Sequence, residues 1–254
     1  MVGLLRSILR YGGVLLVMGL LWKAAALALG GVILPHPEDA LVALIQAMGT
    51  SLFWEHFMTS AYRATAAMAL AWVVAFPLGL VMGSMKRVDA VLAPFVFLTY
   101  PVPKIVLLPI FLLLLGLGDT SKIAMIALIL GYQILVTTRD GVRSIHPKYY
   151  DSVRSLGGSR WDVLREVLLP AALPHGFTAL RLGTGVSVAV LFFVESFATT
   201  RGLGYMIMDA WGAMDYLTMF TGILGMSIMG AALYEAANIL ERKACKWMFL
   251  RSKD

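Results

Sequence analysis

The chain has 254 residues, of which 59% are hydrophobic and only 14% charged, and its mean hydropathy is +0.81. Soluble globular domains carry roughly 25% charged residues, so this composition excludes a soluble fold and indicates an integral membrane protein. The net charge of +6 then reflects membrane topology and contact with anionic lipid rather than nucleic-acid binding. The single cysteine, Cys245, gives no basis for predicting a disulfide.

Apolar stretches of the length needed to cross a bilayer recur along the chain. A helical span needs about 20 mostly apolar residues to cross roughly 30 Å of hydrocarbon. We therefore predict an all-α integral membrane fold with six transmembrane helices. No internal repeat or linker is visible, so we expect one domain over residues 1–254. The predicted spans are residues 13–34, 64–83, 90–116, 123–138, 173–199 and 216–240.

The first apolar stretch follows Arg6 and Arg10, as the apolar region of a secretory signal peptide would. It is long for such a region, and we expect it to be retained as a span. Removing it would leave the orientation of the later spans unchanged.

The basic residues predict the orientation of the spans, because Lys and Arg near span ends favour the cytoplasm. A cytoplasmic N-terminus places 15 of the 21 basic residues in cytoplasmic segments, so both termini are expected inside. The other six basic residues lie in spans, at span ends or in outer segments, namely Lys23, Arg63, Lys104, Lys122, Arg181 and Arg201. The 15 are Arg6, Arg10, Lys86, Arg87, Arg139, Arg143, Lys148, Arg154, Arg160, Arg165, Arg242, Lys243, Lys246, Arg251 and Lys253.

Residues 139–170 form the largest predicted cytoplasmic loop, and its pattern indicates two short helices joined by a turn. Pro147 suits the first position of one helix, which Gly157 ends. Ser159 is a predicted N-cap with Asp162 three residues later. Proline is expected to kink the start of the fifth span at Pro170 and Pro174.

The loop combines apolar and basic positions, so it is amphipathic. Such a helix docks in a groove on a soluble partner or lies on lipid headgroups, and amphipathicity alone does not separate these alternatives. The apolar stripe is Leu156, Trp161, Leu164 and Val167, beside Arg154, Arg160 and Arg165.

The spacing of residues in this loop follows a recognisable pattern. Asp151-Ser152-Val153 is followed by Gly157 and then by Val167-Leu168-Leu169-Pro170. This arrangement resembles the signature loop of permease subunits of ABC importers, with Asp in place of Glu and Ser-Val in place of Ala-Ala. From about residue 60 to 242, further segments are similar to the branch that imports nitrate, sulfonates, taurine and bicarbonate. These segments are "FPLGLVMGSMKRVDAVLAPFVFLTYPVPKIVLLPIFLLLLGLGDTSKI", "SLGGSRWDVLREVLLPAALP" and "ALRLGTG".

The resemblance implies a type I ABC importer permease fold in the bacterial inner membrane. Residues 139–170 would then hold a coupling helix that sits in a cleft of a cytoplasmic ATPase and transmits ATPase closure to the permease. The implied partners are a second copy of the chain, two ATPase subunits and an extracytoplasmic binding protein. Residues 201–215 resemble the family's outer loop that faces this binding protein, or they form an amphipathic loop on the membrane surface. The implied coupling residues are Asp151, Ser152, Gly157, Ser159, Arg160, Trp161, Leu169 and Pro170.

The resemblance also implies that the chain is not an enzyme and binds no cofactor, since the partner ATPase binds ATP and Mg. The sequence agrees, because it contains no G-x-x-x-x-G-K-[ST] phosphate loop. The four histidines show no metal-ligand spacing, so no metal site is predicted.

Two charged residues at membrane depth are candidates for the transport pathway. A charge costs about 2.5–3.5 kcal/mol at the centre of a span, so Lys104 and Glu195 need a partner or water. They either neutralise each other or snorkel to an interface, or they face a vestibule in which Lys104 meets an anionic substrate and Glu195 orders the gate. Tyr100 and Phe192 either line this gate or belong to the packing.

Two other classes of protein are considered. A secondary transporter would show repeated halves with matched broken helices, and a membrane-embedded enzyme would show clustered catalytic side chains. The sequence shows one proline-broken span, around Pro101, Pro103 and Pro109, without a matching broken span in another half, and it shows no clustered catalytic side chains. The substrate is expected to be a small anion such as nitrate, sulfonate, taurine or bicarbonate, and Lys104 favours an anion only weakly.

Overall fold

The computed structural model describes residues 2–31 and 33–250, with side chains for residues 12–31 and 33–248. The predicted topology also uses Arg6, Arg10, Arg251 and Lys253, whose side chains lie outside this described part. The elements are α1 (Val2–Leu29), α2 (Pro37–Met48), α3 (Ser51–Ser84), α4 (Lys86–Thr99), a 3-10 turn (Lys104–Leu107), α5 (Leu108–Leu115), α6 (Asp119–Arg143), α7 (Pro147–Ser155), α8 (Arg160–Val163), a π turn (Leu164–Leu168), α9 (Leu169–Glu195), α10 (Leu203–Gly212), α11 (Tyr216–Ala244) and α12 (Lys246–Leu250).

Among the described residues, five continuous segments are long and apolar enough to cross a membrane. They belong to α1, α3, α6, α11 and the run from α8 through α9. The number rises to six when α4 is counted as one bent span with the 3-10 turn and α5, which it meets at an angle of 86°. The all-α class and the prediction of about six spans are confirmed for the described part of the chain.

The third predicted span, residues 90–116, is bent at its prolines, as they predict. Pro101 and Pro103 lie between α4 and the 3-10 turn, where their rings remove two backbone N–H donors. The predicted ends of two other spans were too late. The first helix ends at Leu29, before Gly30 with φ of +84°, and α9 ends at Glu195 rather than at residue 199.

The described residues fall into two compact units. One unit comprises Met1–Thr59 and Thr200–Ser227, and the other comprises Ser60–Thr199 and Ile228–Asp254. The expectation of a single domain over the whole chain stays a prediction. Most of the predicted functional residues lie in the second unit, where α6 and α9 pack closely against each other.

Glycine allows this close approach of α6 and α9. A Cβ atom on Gly183 would lie 2.2 Å from Cδ1 of Leu130, and one on Gly141 would lie 2.3 Å from Cγ of His175. Small residues at such positions let membrane helices pack backbone to side chain. Gly183 and Gly141 therefore serve the packing of α9 against α6.

Candidate functional site

The break in the third span positions the first candidate residue, Lys104. Its Nζ donates to the carbonyl oxygens of Thr99 at 3.2 Å, Tyr100 at 3.0 Å and Val102 at 3.5 Å. These carbonyls lie at or just beyond the C-terminal end of α4, where the helix dipole favours a positive charge. The same Nζ lies 4.0 Å from the centroid of the Tyr132 ring, within the distance of a cation–π contact. Lys104 therefore stabilises the bend while remaining a cation.

A cavity of about 550 Å³ lies beside Lys104, between the broken span, α6 and α9. Polar and aliphatic side chains share its wall. The residues Tyr132, Gln133 and Thr137 reach it from one face of α6, with the i, i+1 and i+5 spacing of a helical stripe. Its lining is Tyr100, Val102, Lys104, Ile105, Ile129, Tyr132, Gln133, Thr137, Val186 and Val190.

The structure brings only two of the four predicted pathway residues together at this cavity. Tyr100 and Lys104 line it, whereas Phe192 and Glu195 do not. Phe192 is half-buried on α9. Glu195 is fully buried and pairs with Arg63, so the alternative in which Lys104 and Glu195 neutralise each other is wrong. A role for Glu195 in the gate stays a prediction.

Glu195 belongs to a buried cluster of charged groups at the end of α9. Its carboxylate accepts from Nη1 of Arg63 at 2.8 Å and from the Ser60 hydroxyl at 2.9 and 2.7 Å. Nε of Arg63 also donates to Asp119 at 2.7 Å. Nζ of Lys122, which is fully buried, donates to the carbonyls of Leu117 and Gly118 at 2.6 and 3.1 Å. The cluster ties α3 and the start of α6 to the end of α9.

Sequence reasoning did not assign this cluster. Arg63 and Lys122 were recognised only as basic residues in or near spans. The free-energy cost of burying their charges at membrane depth indicated that both residues need partners. The partners themselves lie far away in sequence, with Arg63 and Glu195 separated by 132 positions, so no local spacing indicates them.

Removing one member of this cluster tests its energetic coupling. Losing one partner of a buried ion pair typically costs about 3–5 kcal/mol. We expect Arg63→Met to lower the Tm of the purified protein by about 6 °C or more, because Glu195 stays buried without this arginine. Adding Glu195→Met to the Arg63→Met variant should recover part of the loss. Scanning fluorimetry in one detergent measures all three variants, and strictly additive losses would contradict the coupling.

The loop between α6 and α9 holds the second group of candidate residues. It is shorter than predicted, since α6 continues to Arg143 and residues 139–143 are helical. Pro147 begins α7, as expected, and Gly157 follows that helix with φ of +80°. Gly158 N–H donates back to the Val153 carbonyl at 3.0 Å, which closes the turn.

The predicted cap at Ser159 is present as a reciprocal capping box. Ser159 N–H donates to Oδ2 of Asp162 at 2.7 Å, and Asp162 N–H donates to the Ser159 hydroxyl at 3.3 Å. Arg160 and Trp161 begin α8 and are exposed. Together the two bonds satisfy N–H groups that a helix start leaves open.

The remaining loop residues lie where their helices place them. Asp151 and Ser152 are exposed on α7, and the Ser152 hydroxyl donates to the Lys148 carbonyl at 2.8 Å. Leu169 and Pro170 begin α9 directly after the π turn. The Leu169 N–H donates to the carbonyl of Leu164, five residues back, just before Pro170, which has no N–H. The second loop helix is thus continuous with the fifth span.

The predicted apolar stripe does not lie on one surface. Val167 is buried, whereas Leu156 is 90% exposed and Trp161 is 67% exposed. Leu156 follows α7, and its distance from Val167 along the chain spans the turn, so helical spacing does not relate them. The exposed apolar surface consists of Leu156 and Trp161, with Tyr149 on α7 also exposed.

Six apolar segments, a half-polar cavity against a broken span and an exposed, capped loop between two spans define a membrane transport subunit. Residues 75–244 match the family of binding-protein-dependent transport system inner membrane components. The chain belongs to this family and is a permease subunit of an ABC importer. This assignment confirms the resemblance to ABC importer permeases and decides against the secondary transporter.

Two curated relatives cover most of the chain. It is 33% identical over 232 residues to the taurine transport system permease protein TauC of Escherichia coli, covering 89% of this chain and 84% of that protein. It is 29% identical over 215 residues to a putative aliphatic sulfonates transport permease protein, SsuC, of Bacillus subtilis, covering 85% of this chain and 78% of that protein.

Solved structures share the fold. One of an inward-facing MetNI methionine ABC transporter matches with a TM-score of 0.63 at 17% identity, covering 76% of this chain and 96% of the matched chain. One of an amino acid ABC transporter with histidines matches with a TM-score of 0.56 at 18% identity, covering 79% and 97%. These matches confirm the type I importer permease fold.

Proposed function

We propose that two copies of this chain form the translocation pathway of an importer in the bacterial inner membrane, driven by two separate ATPase subunits and supplied by an extracytoplasmic binding protein. The ATPase subunits bind ATP and Mg, and this chain binds no cofactor. The observation that carries the proposal is the exposed, capped loop between α6 and α9, which presents Leu156 between two candidate spans and Trp161 at the second residue of the run Arg160–Glu195.

Docking on an ATPase explains why this loop keeps apolar side chains exposed. A Trp that is exposed in one chain and buried at an interface is a frequent hot spot of binding. The capping box and the turn at Gly157 fix the directions of α7 and α8 before any partner binds, which lowers the entropy lost on docking. Contact with lipid headgroups remains the rival explanation of the same surface.

The relatives support a small anionic substrate. The names of two relatives specify taurine and aliphatic sulfonates, and Lys104 supplies a cation in the wall of the cavity. We propose a small anion such as a sulfonate, nitrate or bicarbonate, or the zwitterion taurine through its sulfonate group, which meets Lys104 during translocation. Glu195, at the far end of α9 from the loop, is proposed to order the gate.

Replacing Trp161 tests the docking of the ATPase. We expect Trp161→Ala to lower the recovery of the ATPase with the affinity-tagged chain by about tenfold or more, because truncating an interface hot spot costs about 2 kcal/mol or more. Purification from the native host in mild detergent, followed by mass spectrometry, measures the recovery.

The matched control for this test is Trp211→Ala. Trp211 is 53% exposed on α10, in the segment that resembles the outer loop, and its loss should leave ATPase recovery unchanged. Unchanged recovery with Trp161→Ala, or an equal loss with both variants, would contradict docking at this loop. A loss of the ATPase with Trp161→Ala alone separates the proposal from the headgroup explanation, which predicts unchanged ATPase recovery with both variants.

Cysteine labelling tests the proposed orientation. The native Cys245 is buried, and burial together with Glu241 raises the pKa of its thiol to about 11. A thiol with a raised pKa stays protonated and unreactive at pH 7.4, and its reactivity increases only as the pH approaches that value. Cys245→Ser therefore removes a weak background.

In that background, we expect Thr120→Cys to react with a membrane-impermeant maleimide in intact spheroplasts and Ser155→Cys to react only after lysis. Both side chains are exposed, and they lie on opposite sides of α6 in the proposed topology. Labelling of Ser155→Cys before lysis would contradict the proposed orientation.

Neutralising Lys104 tests the pathway. We expect Lys104→Met to reduce sulfonate or taurine uptake into proteoliposomes of the full complex by about tenfold or more, since a hydrogen bond to a charged group contributes about 1.5–3 kcal/mol. Dimer assembly, measured by light scattering, should survive. Lys86→Met makes the same charge change at an exposed site and should retain uptake. Undiminished uptake by the Lys104→Met variant would contradict a role of Lys104 in the transport pathway.

A further inference from the structure

The cavity beside Lys104 has two chemically distinct walls. The polar wall, formed by the broken span and α6, includes Lys104, Tyr100, Tyr132, Gln133 and Thr137, together with the aliphatic residues Val102, Ile105 and Ile129. The other wall is aliphatic, with Val186 and Val190 spaced four residues apart on α9. We propose that the cavity binds an organic anion that has an oxyanion head and an uncharged aliphatic tail, with Gln133 and Val190 as specificity-determining residues. This inference rests on the proposed role of Lys104 as an anion contact.

The size of the cavity favours a ligand with a tail. A water molecule takes about 30 Å³ of the liquid, and nitrate or bicarbonate is not much larger, so either would leave most of about 550 Å³ filled with water. That water would lie against Val186, Val190 and the aliphatic side chains of the broken span. An alkyl tail displaces this water. Each buried methylene then improves the binding free energy by roughly 0.8 kcal/mol, or about fourfold in affinity.

The charge of the cavity lining disfavours a ligand that carries a positively charged group in addition to its anionic head. None of the ten described residues that line the cavity is acidic. A ligand ammonium would lose its hydration there without a carboxylate to replace it. It would also be repelled by the Lys104 ammonium. The cavity thus suits an anion better than a zwitterion of the same length.

Fixed neighbours hold the polar wall in place. The Tyr132 hydroxyl is 2.9 Å from Oγ1 of Thr99, which holds its ring against the Lys104 ammonium. Gln133 packs against the backbone of α9, because a Cβ on Gly183 would lie 3.2 Å from its Oε1. The amide of Gln133 can donate two hydrogen bonds, and the Thr137 hydroxyl one, to the oxygens of a bound head group.

Ligand binding to the purified chain in nanodiscs tests the inference without the binding protein. Isothermal titration is performed with methane-, ethane-, propane- and butanesulfonate, with nitrate, and with taurine, at constant ionic strength. Taurine has the shape of propanesulfonate with an ammonium in place of the terminal methyl. We expect affinity to rise about threefold to fourfold per added methylene, and taurine and nitrate each to bind at least tenfold more weakly than propanesulfonate.

Two variants test which side of the cavity contacts the head group of the ligand and which side contacts its tail. Gln133→Leu should weaken every sulfonate about tenfold and leave the dependence on chain length intact, whereas Val190→Ser should flatten that dependence. Lys86→Met is the control and should leave all affinities unchanged. An affinity that is independent of chain length, taurine binding as tightly as propanesulfonate, or no sulfonate binding at all would overturn the inference.

Recovery of the ATPase with the same tagged chain separates this inference from the proposed function. If the ATPase is recovered but the sulfonate series is flat, the importer role stands and the ligand class assigned to the cavity is wrong. If the series rises with chain length but no ATPase is recovered, the cavity is correctly assigned and the coupling proposal fails.

Discussion

The contact of the Lys104 ammonium with the end of α4 is the interaction on which the site depends. Within a bilayer, backbone groups at a break have no water to satisfy them unless protein or a cavity supplies a partner. Pro101 and Pro103 supply no N–H, and Lys104 donates to three carbonyls at this point. The chain can therefore turn through 86° and leave space between the two arms of the span and α6. A straight third span would fill that space.

The fifth span connects the loop to the buried charged cluster as one element. The run Arg160–Glu195 has 36 residues, which corresponds to about 54 Å at 1.5 Å per residue. Its first turn is fixed by the capping box at Ser159, and its last residue is held by Ser60 and Arg63. Because this run is continuous, the loop and the Glu195 carboxylate belong to one structural element. The π turn at Leu164–Leu168 lies close to the loop, so most of the run beyond it is regular helix.

The sequence predicted well those features that depend on local patterns. The number of spans followed from apolar length, and the turn at Gly157 and the cap at Ser159 followed from conformational and hydrogen-bonding preferences that act within a few residues. The break in the third span was indicated by its prolines, although not its angle. Features that depend on contacts between helices were missed. Tyr132 and Gln133 look like ordinary span residues, and only the packing of α6 against the broken span makes them line a cavity. The pairing of Glu195 with Arg63, rather than with Lys104, has the same origin.

The charges of Arg63 and Lys104 are neutralised to different extents by their protein partners. This difference favours Lys104 as a ligand contact. Arg63 lies between two carboxylates, Glu195 and Asp119, so most of its charge is neutralised by protein. Among the described residues, Lys104 forms no ion pair, and carbonyl groups and a tyrosine ring are its partners. Such dipoles stabilise a cation without cancelling its charge. An anion in the cavity therefore meets an uncompensated positive charge, whereas an anion near Arg63 would have to displace a carboxylate. Under the proposed function, an anion would share the Lys104 ammonium with these carbonyls, so its interaction would be moderate and reversible.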